Sequence, residues 1–300
     1  MNLIDIHATN IAGTQTSGSY ISKERFAADP RNAEVLFPYL NGEDLNSRPD
    51  ASASRWVIDF NDRNEAEAAE YTLPYQRVLE QVKPERLNKS KAVSESPWWR
   101  FLRTRGEMRQ AISDLSEVLV IALVSKTVMP LRIKAGQVFS HKLGVFATGS
   151  YNDQALLSSS VHYLWTVKYT STMRNDVNYS PSDVFETFPR PQPILQLSEI
   201  GRTLDTERRE IMIRRGLGLT KLYNLVNDRT VASSGNQDIA RMRDIQRELD
   251  ESVLVAYGWN DIPLEYGFFA YRNMERWTVN PAARTEILDR LLEENLRRSS

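Results

Sequence analysis

The residues best suited to chemistry lie between Ser171 and Pro191, a stretch that reads STMRNDVNYSPSDVFETFPRP. Arg174, Asn175 and Asn178 stand there among small polar residues, aromatics and prolines. Ser, Asn, Asp and Pro disfavour regular structure, each for its own reason, so the segment is expected to be ordered but irregular. Arg, Lys, Asn and Gln are the side chains whose donors and acceptors match the edge of a nucleic-acid base. A second role is open for Arg174, a salt bridge to Asp176 or Asp183. Tyr179 and Phe185 are expected to pack and fix the loop. Two shorter groups beside expected strands offer similar chemistry, Ser125-Lys126-Thr127 and Ser140-His141-Lys142. Lys126, His141, Lys142, Arg174, Asn175 and Asn178 are therefore the candidates for reading bases.

A different chemistry is concentrated upstream. From Lys83 to Ser180 the sequence has 14 Lys and Arg against 7 Asp and Glu, although the whole chain is close to neutral at −1. A basic middle on a neutral chain points to an anionic partner met by one region. Phosphate is bound by Lys and Arg without regard to base sequence, and Lys83, Arg86, Lys89, Lys91 and Arg132 are the candidates for that contact. Trp98-Trp99 reads as core rather than as a stacking platform.

Several chemistries lack their motifs. The sequence has neither a Walker loop nor GxGxxG, and no Ser in a GxSxG elbow. His7, His141 and His162 are far apart and have no partners at ligand spacing, so no metal site is expected. Cysteine is absent, which excludes thiolate chemistry and fits a reducing, cytoplasmic setting. No apolar run is long enough for a membrane span. These features argue against an enzyme acting by itself.

The elements that must position the candidates can be read from periodicity. Residues 1–36 are polar, with a short helix expected near Ser22 to Ala28. RWVIDF at 55–60 reads as a strand. Asn64 to Val82 reads as helix, interrupted near Pro74, and Lys83 to Ser96 as a polar surface crossing. A helix is expected over Glu107 to Leu115. Val118 to Val124 is a short continuous apolar run, as in a strand buried on both faces. Further strands are expected at Thr127 to Ile133 and Gln137 to Ala147, and a helix at Gln154 to Tyr169. After PRPQP the pattern turns helical: Ile194 to Arg215, Lys221 to Val226 capped by Thr220, Gln237 to Tyr257 ended by Gly258, and Ala282 to Leu296 started by Pro281. The expected fold is thus an α+β (mixed) recognition domain at 1–192, with a short twisted sheet and flanking helices, followed by an all-α C-terminal domain at 193–300.

Many short blocks in one order carry a resemblance. FPYLNGEDLNSRPD, RWVIDF, VKPER, the tryptophan pair, SKT at 125–127, NYSPSDVFETFPRP, GLTKLYNLVND, DIARMRDIQRELDESVLVAYGW and NPAARTEILDRLLEENL resemble the C-terminal part of MmeI-like (type IIL) restriction-modification enzymes and related defence-system DNA methyltransferases. That resemblance implies a target-recognition domain with a helical tail, which binds double-stranded DNA and selects the sequence for a methyltransferase. The partners it implies are DNA and an adenine methyltransferase domain or subunit, which would hold S-adenosylmethionine. No cofactor is expected in this chain, because the NPPY-type or DPPY-type tetrapeptide and the cofactor-binding glycine motif are missing. A phage-defence specificity module that is non-catalytic by itself is the expectation. The alternative is a protein–protein adaptor that docks through its helical tail, with incidental DNA contact.

Overall fold

A computed structural model of the chain describes residues 3–4, 29–170, 172–173, 176–271 and 274–299. The helix expected near Ser22 to Ala28 lies outside them. In chain order the first part comprises β1 (Leu3–Ile4), β2 (Leu36–Leu40), α1 (Gly42–Ser47), β3 (Arg55–Ile58), α2 (Glu65–Ala69), α3 (Thr72–Gln81), α4 (Lys83–Leu87), α5 (Lys91–Ser94) and α6 (Gly106–Ile112). It continues through β4 (Glu117–Ala122), β5 (Val124–Ser125), β6 (Leu131–Lys134), β7 (Val138–Phe139), β8 (Leu143–Phe146), α7 (Tyr151–Ser158), α8 (Ser160–Tyr169), β9 (Thr172–Met173) and β10 (Asp176–Asn178). The second part comprises α9 (Leu195–Arg215), α10 (Leu219–Val226), α11 (Gln237–Tyr257), β11 (Tyr266–Tyr271), β12 (Met274–Val279) and α12 (Pro281–Ser299).

The apolar run at 118–122 becomes β4, interior to an antiparallel sheet of order β1-β8-β4-β6. Val118 to Ala122 are all buried, which is why the strand shows no polar alternation: both faces are covered. β5, β10 and β9 form a second antiparallel sheet, and β3-β2-β7 a third. The helices pack around these sheets, as an α+β fold requires.

Two apolar clusters result. The larger runs without interruption from Leu40 to Leu291 and includes β4, β8, α7, α8, α9 and α11. The polypeptide changes from mixed to helical near residue 192, but the core does not divide there. The α11 stripe of Ile239, Met242, Ile245, Leu249 and Val253 is wholly buried, so it is committed inside the molecule. Gly201 on α9 lets α7 approach closely, since a Cβ there would collide with the Tyr151 carbonyl. Arg208, buried, donates to the Pro130 carbonyl, and Arg209 donates to the Arg132 carbonyl, which ties α9 to the sheet. The smaller cluster is Val35, Phe60, Ala68, Val78 and Trp98, a satellite built by α2, α3 and the segments before β2, after β3 and after α5.

Several local expectations change. Lys83 to Ser96 is not a bare crossing but holds α4 and α5, the first started by Pro84 in its first turn. The helical interruption before α3 falls at Glu70 and Tyr71, and Pro74 sits in the first turn, where its missing N–H costs nothing. Helix 154–169 is divided at Ser159, whose side chain accepts from the His162 amide and donates to the Leu156 carbonyl. Gly218, not Thr220, is the N-cap of α10, because the chain there passes against the Ser47 backbone and leaves no room for a side chain. The C-terminal part also carries the β11–β12 hairpin, which helical periodicity did not suggest.

Candidate nucleic-acid interface

The base-reading candidates among the described residues are gathered at one end of the sheets. β4 ends at Ala122, and the next residue, Leu123, joins three strands. Its amide donates to the Lys142 carbonyl at 2.9 Å, and its carbonyl accepts from the Tyr179 amide at 2.7 Å. One residue further, Val124 pairs with Asn178 across β5 and β10. Lys126, Lys142 and Asn178 thus surround a single backbone crossing, and all three are exposed. Lys126 and Lys142 form no ion pair with any described residue.

Their exposure follows from the residues on either side. Lys126 lies between buried Ser125 and Thr127, and the Ser125 hydroxyl accepts from the Thr127 amide at 3.0 Å. That local turn leaves only the central side chain facing outward. Lys142 follows Ser140, also buried, whose hydroxyl accepts from its amide. His141 is half-buried; burial, helped by the Lys142 and Arg105 cations, lowers its pKa below the ordinary histidine value. Arg174 and Asn175 lie outside the described residues, between β9 and β10, which are paired.

The floor beneath this edge is rigid. Tyr179 and Phe185 are buried, as expected of residues that fix the loop. The Leu157 carbonyl lies 2.9 Å from His162 Nδ1. A carbonyl only accepts, so Nδ1 carries the hydrogen and Nε2 accepts from the Tyr179 hydroxyl at 3.2 Å. Complete burial pushes the His162 pKa down to about 4, so the ring stays neutral in its acceptor role, and burial raises the Tyr179 phenol. Ser180 bonds Asp183 and caps the turn Pro181–Phe185, and Trp165 Nε1 donates to Thr187 at 3.2 Å.

The phosphate candidates sit differently. Lys83 and Lys91 lie on the satellite helices α4 and α5, and Lys89 in the link between them. Lys83 Nζ stands 4.6 Å from the centroid of Trp98, a ring that is 9% exposed and belongs to the small core. Lys89 faces Glu85 at 3.7 Å and Lys91 faces Glu95 at 3.8 Å; these exposed i,i+4 pairs are weak and leave the ammonium groups accessible. Arg86 and Arg132 require a correction. Arg86 is 6% exposed and its guanidinium donates to the Ser96 hydroxyl and the Arg100 carbonyl. Arg132 is 9% exposed, pairs with Glu117 at 3.0 Å, donates to the Gly149 carbonyl and lies 4.0 Å from the Tyr151 ring centroid. Phosphate could reach either one only by extracting a satisfied buried cation, which is costly. Their spacing in sequence looked basic; their burial makes them structural.

One residue at this edge was not anticipated. Arg276, on β12, donates to the carbonyl of Lys126 and rests 4.7 Å from the Tyr163 ring centroid. The sequence signal was present, since YGFFAY and MERWTV are strand-like runs separated by two residues, a hairpin spacing. Among the described residues there is no cluster of His, Cys, Asp and Glu able to hold a metal.

A target-recognition module is the class of protein that this combination of sheet end, exposed polar side chains and basic satellite fits. The model of the family "MmeI, target recognition domain" matches residues 17–192, and the chain belongs to that family. The type IIL restriction-modification enzyme MmeI, solved in complex with DNA, has a similar fold: TM-score 0.63 and 16% identity over 94% of this chain. This chain spans 34% of that MmeI chain. The type IIG restriction endonuclease BpuSI aligns over 84% of this chain and 30% of its own at 15% identity, but its TM-score of 0.34 is too low to carry an argument. Comparison with curated protein sequences gives no match.

Proposed function

We propose that this chain is the sequence-specific double-stranded DNA recognition module of a restriction-modification or phage-defence DNA adenine methyltransferase, and that it is non-catalytic by itself. The observation that carries this reading is the convergence of Lys126, His141, Lys142 and Asn178 on one sheet end within a domain of the MmeI target-recognition family. Exposed Lys and Asn above a buried, hydrogen-bonded floor supply directed donors to base edges, with Arg174 and Asn175 as further candidates. Lys83, Lys89 and Lys91 supply sequence-independent contact to phosphate. The methyl donor, S-adenosylmethionine, would be held by a methyltransferase domain or subunit that this module serves. The adaptor reading rested on the α11 stripe, and that stripe is buried in the core.

The test is binding of the chain to duplex DNA, alone and with a methyltransferase partner, across a salt series. Affinity falls steeply with salt as phosphate contacts release counterions. Arg174→Ala should cost about 1–3 kcal/mol on the preferred sequence and little elsewhere; equal loss on every sequence rules out base reading at that position. No binding at low salt, with or without partner, sinks the proposal.

A further inference from the structure

The recognition edge does not belong to residues 17–192 alone. We infer that the C-terminal hairpin completes it: Arg276 of β12 is a positioning residue that fixes the Ser125-Lys126-Thr127 turn from outside the family domain. This inference rests on the DNA-recognition reading.

The turn is held at several points. β5 pairs with β10 through Ser125 and Val177. Ser125 closes the turn by accepting from the Thr127 amide. The Lys126 peptide itself, whose side chain faces solvent, has one further partner among the described residues: its carbonyl accepts from Arg276, 150 residues later in the chain. Fixing a peptide plane restricts the ψ of that residue and the φ of the next, so this bond orients the Lys126 side chain without touching it.

Arg276 is itself held. Its guanidinium lies on Tyr163 of α8, and Tyr163 packs against Tyr271 with ring centroids 6.0 Å apart. Arg284 of α12 donates twice to the Ala270 carbonyl and lies 4.8 Å from the Tyr271 ring centroid. An unbroken series of contacts therefore runs from α12 through the hairpin to Lys126. A carbonyl bonded to a guanidinium is a charge-assisted contact, and its loss leaves the turn free to adopt several orientations of one long side chain.

Selection of the chain on a pool of duplexes with a randomised segment yields its preferred sequence. Dissociation constants are then measured on that sequence and on each single base-pair variant. Arg276→Ala should lose about tenfold discrimination at the base pair that Lys126→Ala also affects, with an unchanged salt slope and little change on other sequences. Because one residue acts through the other, the double variant should lose no more than Lys126→Ala alone. Arg276→Lys, which keeps a donor, should restore part of the discrimination. Amide exchange provides a readout without DNA, with faster exchange at Thr127 and Val128 in Arg276→Ala while α9 and α11 keep their protection. Full discrimination in Arg276→Ala, uniform loss on all sequences, or full additivity with Lys126→Ala overturns the inference alone. No enriched sequence with the unaltered chain, alone or with a methyltransferase partner, overturns the recognition reading and the inference together.

Discussion

The sheet end around Leu123 and the satellite around Trp98 are both cationic, yet they display charge by opposite means. At the sheet end, Lys126 emerges between buried neighbours and Lys142 between half-buried His141 and buried Leu143, and the core beneath them is the larger of the two clusters. In the satellite, Lys83 and Lys91 sit on short helices and Lys89 between them, paired with Glu one turn away or laid over an aromatic ring, above a core of few residues. A fixed side chain can discriminate a base edge, because discrimination needs a donor at a defined place. A mobile one is adequate for phosphate, which asks only for proximity of charge. On the proposed reading, specificity belongs to the first region and affinity to the second.

Removing the satellite core should separate the two regions most sharply. Trp98→Ala deletes the ring shared by Lys83, Tyr75 and Trp99, a change worth about 3–5 kcal/mol in a packed core. Amide exchange should show lost protection across α2 to α5 while β4, α9 and α11 remain protected. Equal loss throughout the chain would mean that the satellite is not a separate unit.

A pH series probes the larger core. Asp250 is buried and accepts from the Ser160 amide at 2.7 Å, from the Tyr266 hydroxyl and from Gln246. Burial raises its pKa to about 6. A raised carboxyl favours folding when protonated, so this contribution is present below the unfolded value near 4 and is lost as pH rises through about 6. His162 acts in the opposite sense: its folded pKa is lowered to about 4, so its contribution is full above about 6.5 and disappears as pH falls toward 4. Asp250→Asn keeps the acceptor and removes the first contribution. Denaturant unfolding should show the unaltered chain gaining about 2 kcal/mol over the Asn variant as pH drops from 7 to 4. A pH-independent difference would show that Asp250 does not titrate in that window.

Much of the frame is readable from sequence because its signals are local. The α11 stripe, Gly258 at its end and Pro281 at the start of α12 fall where periodicity and capping place them. The buried run of β4 is equally plain. The role of each charge is less legible. Arg86, Lys89 and Lys91 look alike within nine residues, yet one is interior and two are exposed, since burial is decided by Ser96 and the Arg100 carbonyl coming round to meet Arg86. Arg276 is separated from its partner by 150 residues, and no spacing rule connects them. The grouping of Lys126, Lys142 and Asn178 likewise appears only once three strands meet at Leu123.

Within the proposed interface the larger effect belongs to the sheet end. Lys126→Ala or Lys142→Ala should cost about 1–3 kcal/mol on the preferred duplex and leave binding to unrelated duplexes nearly unchanged. Loss on all duplexes alike would make these lysines phosphate contacts and erase the distinction between the regions.

The smallest effect per residue should come from the satellite, and it should have a different form. Lys83, Lys89 and Lys91 replaced together by Gln leave Arg86 and the aromatic cluster in place and remove, of the contacts to that core, the one between Lys83 and Trp98. Each lost phosphate contact lowers the salt slope by about 1. The triple variant should therefore lose up to about 3 from the slope, weaken all duplexes by the same factor, and keep the selected sequence. Selection of a different sequence by this variant would place base reading in the satellite. The sheet end would then be a scaffold, and the comparison between the two regions would reverse.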